Sequence, residues 1–153
     1  RILIWGRSTT KAQAIVARLA MLGVSAEPST DLQYVLSEAD VVVAATTATA
    51  PFILTEWVRP GTHLGLVGAF TKKMMEAEPV LMARAQVFAD CREAVFQAID
   101  QGLINAADIQ AELAELAGEP TRKWRSDAQS ITVFKTVGFA ALDLIAAQLV
   151  FDA

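Results

Sequence analysis

The segment Gly6-Arg7-Ser8-Thr9, with Lys11 close behind, carries the residue types that grip a phosphate: a guanidinium, two hydroxyls and the free amides of a helix start. An apolar run, Ile2-Leu3-Ile4-Trp5, precedes it and a helical pattern follows, so it stands at the carboxyl end of a predicted strand. In parallel α/β sheets ligands bind beyond that end. NAD-binding sheets place an Asp or Glu at the end of their second strand, where it accepts hydrogen bonds from the adenosine ribose. Here that position offers no acid and a cation instead, which suits the 2′-phosphate of NADP. The plain alternative is that Arg7 is a solvated surface charge and Ser8 or Thr9 a helix N-cap.

The remaining reactive residues are few. One cysteine, Cys91, and one histidine, His63, exclude an internal disulfide framework and a Cys/His zinc site within these residues, so no metal is expected. Low cysteine usage suits a reducing cytoplasm. His63 opens one predicted strand and Cys91 follows the end of another, which puts them at opposite edges of a parallel sheet and argues against a dyad. Asp90 is a strand-end carboxylate, and capping of the helix that starts at Arg92-Glu93-Ala94-Val95 is an equally good reading of it. Lys72, Lys73, Glu76 and Glu78 are expected on the surface of a helix, and Met74 and Met75 are expected to pack.

These residues need a scaffold, and the totals bound it. A chain of 153 residues with 54% apolar content builds one domain with a substantial core. Its net charge is −4 and its 13 Lys and Arg form no stripe, which excludes a nucleic-acid partner. No apolar run nears the roughly 20 residues that cross a bilayer, so no membrane partner is expected. A small molecule fits better.

Short apolar runs alternate with segments of helical period, the mark of βα repeats. Strands are predicted over residues 2–7, 24–28, 41–47, 63–68 and 86–90. The run Asp40-Val41-Val42-Val43-Ala44-Ala45-Thr46-Thr47 has no polar face, which predicts a central strand covered by helices on both sides. Helices are predicted over residues 10–22, with Ala14, Ile15, Ala17, Leu19 and Leu22 as the apolar stripe and Gly23 as the stop, and over 32–39, capped by Asp31. A broken helical segment follows over 71–85, then helices over 92–104 and 107–118 and a last one from about 131. Residues 118–127 read as a surface loop. The fold class is α/β, a Rossmann-type, doubly wound, mainly parallel sheet.

The GxGxxG turn that cradles a pyrophosphate is missing from these residues. The sequence opens on Arg1 in mid-strand, with no Met. We therefore expect residues 1–153 to be one partial NAD(P)-binding domain of a longer chain, whose upstream part supplies the first strand and the glycine-rich turn. This stretch alone is expected to bind dinucleotide poorly.

The runs "WGRSTTKAQAIVARL", "ADVVVAATTATAPFI" followed by "WVRPGTHLGLVGA", "VFADCREAV" with "GLI", and above all "ITVFKTVGFAALDL" together resemble the ornithine cyclodeaminase and mu-crystallin family over nearly the full length. The resemblance implies an oxidoreductase that uses NADP or NAD on a small amino acid or imine, or a crystallin-like protein that keeps the cofactor without turnover. It also implies a homodimer through a dimerisation and substrate domain outside these residues, toward which the C-terminal helix would pack. Gly6, Arg7 and Ser8 match the segment that holds the adenosine phosphate. Ala45, Thr46 and Thr47 match the stretch along the cofactor ribose, and Val67, Gly68 and Ala69 the strand end near the nicotinamide. One position departs: where cyclodeaminases carry an Asp proposed to act on the substrate, this chain has Phe70. Mu-crystallin-like members also lack that Asp. A different nucleotide, such as the methyl donor of a methyltransferase, is the weaker reading.

Overall fold

The computed structural model describes residues 1–99, 104 and 106–152. It forms two compact units, Arg1–Ala39 and Asp40–Ala153.

The first unit is built as strand, helix, strand, helix. Strand β1 (Leu3–Trp5) pairs in parallel with β2 (Glu27–Ser29), Leu3 opposite Glu27. The predicted second strand thus begins three residues later than its apolar pattern suggested, and Arg1 bonds both Glu27 and the Tyr34 hydroxyl beside it. Helix α1 (Thr9–Met21) is capped by Ser8, whose side chain accepts from the Lys11 amide at 3.4 Å. It stops as expected at Gly23. The Gly23 N–H donates to Ala20 O and the Val24 N–H to Leu19 O, the paired bonds of a Schellman end, with Gly23 at φ +74°. Its inward face shares only Leu19 with the predicted one. Ala12 is buried and Val16 and Leu19 are half-buried, at i, i+4 and i+7, while Ile15 and Leu22 are exposed. Helix α2 (Leu32–Glu38) starts at Asp31, whose carboxylate accepts from the Tyr34 amide at 2.9 Å, as expected of an N-cap.

The second unit is a five-stranded parallel sheet made of β3 (Val41–Ala44), β4 (His63–Leu66), β5 (Gln86–Ala89), β6 (Ile109–Glu112) and β7 (Thr132–Lys135). Their order across the sheet is β3-β4-β7-β5-β6. Helices α3 (Pro79–Arg84), α4 (Arg92–Ile99) and α5 (Leu113–Gly118) follow β4, β5 and β6, and α6 (Ala140–Phe151) follows β7. The core is Leu64, Leu66, Val87, Ala89, Ala111 and Val133 from the strands, and Leu81 of α3 and Val95 of α4 are buried as well. The α/β class with parallel strands is as expected.

Three strand assignments differ from the sequence reading. First, β3 is an edge strand of this sheet and Val43 is 72% exposed, so its apolar run is not covered on both sides among the described residues. Second, residues 109–112 form strand β6 where a helix was predicted. Ile109 and Ala111 alternate inward, a period of two inside an alanine-rich stretch that also fits a helix. Third, the last helix does not begin near 131. Residues 132–135 form β7, the middle strand of the sheet, where β-branched Thr132 and Val133 pair with both His63-Leu64 and Gln86-Val87. Gly138, at φ +77°, separates that strand from α6.

Between β4 and α3 the predicted helix shrinks to residues 79–84, because Pro79 starts it and the chain ahead of it is tied elsewhere: the Phe52 and Ile53 amides both donate to Glu76 O. The loop over 118–127 is exposed apart from Trp124, which stacks under Arg122 and meets Phe88 edge to face. The predicted helix end at 100–104 lies largely outside the described residues. No helix of the described residues is long and apolar enough to cross a membrane.

Candidate functional site

Three neighbouring strands of the second unit, β3, β4 and β7, end at the same edge of the sheet, and a cavity of about 410 Å³ opens there. Its walls are residues 45–47 after β3, residues 67, 68 and 70 after β4, and residues 136–138 after β7. This is the strand edge where parallel α/β sheets hold ligands, and the volume is that of a small-molecule site. Of the residues predicted from sequence, Ala45, Thr46, Thr47, Val67 and Gly68 all meet here, and Phe70 joins them, 52% exposed at the rim.

The backbone of each wall is held by a buried ionisable side chain. Glu76, expected on a helix surface, is 1% exposed, because its loop folds under the strand ends instead of continuing a helix. One of its oxygens accepts from the Thr46 amide (2.7 Å) and hydroxyl (2.9 Å), and the other from the Gly68 (2.9 Å) and Ala69 (3.3 Å) amides. Asp90 accepts from the Thr136 hydroxyl (2.6 Å) and the Val137 (3.0 Å) and Gly138 (2.7 Å) amides with one oxygen, and from the Cys91 amide (2.8 Å) with the other. Its main work is thus on the third wall, not on the helix that follows it. Burial alone would raise the Asp90 carboxyl, but the bonds from Thr136, Gly138, Cys91 and Val137 outweigh it and hold it below the usual carboxylate range.

The third buried group is Lys135, 2% exposed, whose Nζ donates to Leu66 O (3.0 Å) and Thr136 O (2.9 Å). Burial pushes its ammonium down to about 8, against the opposing pull of Glu76 and Asp90. Glu78, also expected on a helix surface, is half-buried. Its carboxylate accepts from the Thr55 amide and hydroxyl, both at 2.7 Å, which hold it below its usual range and anchor the 3-10 turn Thr55–Trp57. Lys72 and Lys73 are exposed, in a turn and not on a helix.

Chemically, the cavity is apolar with a few oriented polar groups. Ala45, Val67, Phe70 and Val137 present carbon, and Gly68 keeps one wall thin: an added Cβ there would overlap the Thr46 backbone and Glu76 Oε1. The Thr46 and Thr136 hydroxyls spend their single protons on Glu76 and Asp90, so toward a ligand they act only as acceptors. None of the lining side chains titrates. A flat ring bearing an amide donor fits this chemistry, and a proton donor for a substrate is absent from the lining.

The remaining predicted residues, Gly6, Arg7, Ser8 and Thr9, lie in the first unit at the start of α1. Arg7 is exposed and makes no ion pair among the described residues, Ser8 caps the helix, and the space over Gly6 is open. His63 sits at the first residue of β4, bonded to the Thr132 hydroxyl at 2.8 Å, at the opposite end of the sheet from Cys91. Burial, with the Arg125 charge, pushes the imidazole down. No cluster of His, Cys, Asp and Glu able to hold a metal forms among the described residues.

Sequence reasoning missed the third wall, Lys135 and the burial of Glu76, whereas Asp90 stands where it was expected, at a strand end. The signal was present in Thr132-Val133-Phe134-Lys135-Thr136-Val137-Gly138, a β-branched run ending in a polar residue and a glycine, but it was absorbed into a helix.

An α/β domain whose three parallel strand ends enclose an apolar cavity is a nucleotide-binding architecture. The family model described as "Ornithine cyclodeaminase/mu-crystallin family" matches residues 1–153, and the chain belongs to that family. It is 38% identical over 157 residues to a Delta(1)-pyrroline-2-carboxylate reductase of Paracoccus denitrificans, with 98% of this chain and 49% of that protein covered. Against the ketimine reductase mu-crystallin of Rattus norvegicus it is 32% identical, covering 99% and 46%. Among solved structures, the Thermococcus litoralis Delta(1)-pyrroline-2-carboxylate reductase in complex with NADH and L-proline superposes with a TM-score of 0.88 at 26% identity, covering 98% of this chain and 49% of that one. The chain spans about half the length of the curated relatives it matches.

Proposed function

We propose that this chain is the dinucleotide-binding part of an NAD(P)-dependent oxidoreductase that acts on a small amino acid or imine, in the manner of a ketimine reductase or an ornithine cyclodeaminase. The nicotinamide end of the cofactor lies against Val67 and Gly68, with its ribose along residues 45–47. The cofactor supplies hydride transfer when bound. The chain's own contribution is to exclude water with Ala45, Val67, Phe70 and Val137 and to offer the Thr46 and Thr136 oxygens to a ring amide. Gly6, Arg7, Ser8 and Thr9 take the adenosine phosphate, which favours NADP over NAD. The protein works in the cytoplasm as a homodimer through a domain outside these residues. The bare apolar helix α6, with Leu144, Leu149, Val150 and Phe151 exposed, packs toward that domain.

The observation that carries this reading is the apolar cavity at the ends of β3, β4 and β7, with Gly68 thinning its wall. Its test is turnover by the full-length protein over a broad panel of cyclic and open-chain ketimines and amino acids, read as NADPH consumption, NADP⁺ reduction or ammonia release. Turnover supports the enzyme. Phe70 supports a second reading, a cofactor-binding protein of the crystallin kind, since no lining group moves a proton. Tight NADPH binding with no turnover across the panel selects it, and absence of NAD(P) binding overturns both.

A further inference from the structure

Lys135 ends the middle strand of the sheet, one residue behind Thr136 in the cavity wall, and its Nζ also holds the carbonyl of Leu66, one residue behind Val67. Two carbonyls need two donors, and a neutral amine has two. The charge is surplus to that count. Keeping an ammonium in the centre of a sheet costs solvation that a neutral side chain would not. The charges whose fields reach it are Glu76, from the connection between β4 and α3, and Asp90, at the end of β5. Both have every oxygen occupied by donors from the cavity walls or, for Asp90, also from Cys91. A fixed cation therefore lies directly behind two of the three walls.

Resting on the reading that the nicotinamide occupies this cavity, we infer that Lys135 is a positioning residue for charge: its ammonium sets the preference between the two redox forms of the cofactor. The oxidised ring is a cation and the reduced ring is neutral. A cation held behind the wall raises the energy of the oxidised complex and leaves the reduced one nearly unchanged, so it offsets the opposite pull of the Glu76 and Asp90 carboxylates and shifts the preference toward the hydride donor. At the effective dielectric of protein sites, a unit charge several ångströms away changes an affinity by about tenfold. The depressed Lys135 ammonium makes this preference reversible with pH, because the charge is lost above about 8.

The test is calorimetric, on the full-length protein, with NADPH and NADP⁺ as the probes. The 2′-phosphate is common to both and cancels in the ratio of their dissociation constants. At pH 7, Lys135→Met should raise Kd(NADPH)/Kd(NADP⁺) about tenfold over wild type. Wild type alone should show the same rise between pH 7 and 9.5, a series that decides the matter if the variant does not fold. Cys91→Ser, which removes the other titratable side chain beside Asp90, should leave that rise in place. A purely structural lysine would weaken both forms by one factor, and such a result, or a ratio indifferent to pH, overturns the inference while leaving the dinucleotide reading intact. Failure of wild type to bind either form overturns the dinucleotide reading and this inference with it.

Discussion

Gly68 donates its backbone N–H to Glu76 at 2.9 Å, and the same carboxylate would overlap any side chain placed on Gly68. A wall of the cavity and the buried acid that shapes it are thus fitted to one another at the backbone level.

Gly68→Ala is expected to cost about 2–4 kcal/mol of stability, since the added methyl must displace both the Thr46 backbone and a carboxylate that holds four donors. Urea unfolding measures it. A loss below about 0.5 kcal/mol would show that the Thr46 backbone and the Glu76 carboxylate can both give way freely.

Asp90 titrates below its unfolded value, so it stabilises the fold above an unfolded pKa of about 3.9 and loses that contribution as pH falls through its folded value. Stability followed by urea unfolding from pH 6 to 2.5 should decline more steeply for wild type than for Asp90→Asn. Parallel acid limbs would contradict the hydrogen-bonded carboxylate.

Lys135 has the opposite sign on the alkaline side. Its folded value, about 8, lies below the ordinary 10.5, so the unfolded chain binds more protons between those limits. Its contribution makes the fold more stable as pH rises through that window, by at most about 3 kcal/mol. The difference between wild type and Lys135→Met, taken at pH 7.5 and 10.5, isolates it. Selectivity for the reduced cofactor should fall over the range where stability grows, which separates the two effects.

Arg7 is exposed at the start of α1, where its loss should not touch the fold. Arg7→Ala is expected to weaken NADPH about 10- to 100-fold and NADH little, the size of one or two charge-assisted bonds to a phosphate monoester. Equal weakening of both cofactors would remove the 2′-phosphate from Arg7.

Phe70 lines the cavity with half its surface exposed, so Phe70→Asp should fold normally. It places a carboxyl at the position where the family resemblance implies one in cyclodeaminases. Amino-acid turnover should rise by at least about tenfold, toward the roughly 100- to 10,000-fold worth of general acid-base catalysis, with a new pH dependence in the acid range. Unchanged steady-state rates would show that the proton comes from another group.

Local patterns in the chain determined a good part of this picture. Strands β1, β3, β4 and β5, the Asp31 and Ser8 caps and the Gly23 stop all follow from short-range rules, because each depends on the chemistry of neighbours within a turn or a pleat, whereas the walls at residues 45–47 and 67–68 were singled out only by the family resemblance. Partners distant along the chain decided the rest. Thr132-Val133-Phe134-Lys135 carries a β-branched signal of its own, but its place as the middle strand was decided by β4 and β5, which leave a slot between them that nothing within the run announces. Glu76, Asp90 and Lys135 look like surface charges or caps when read along the sequence. They are buried because the amides, hydroxyls and carbonyls of strand ends up to 69 residues away satisfy them. Burial of charge is a property of the assembled surroundings, and a linear sequence does not display those surroundings.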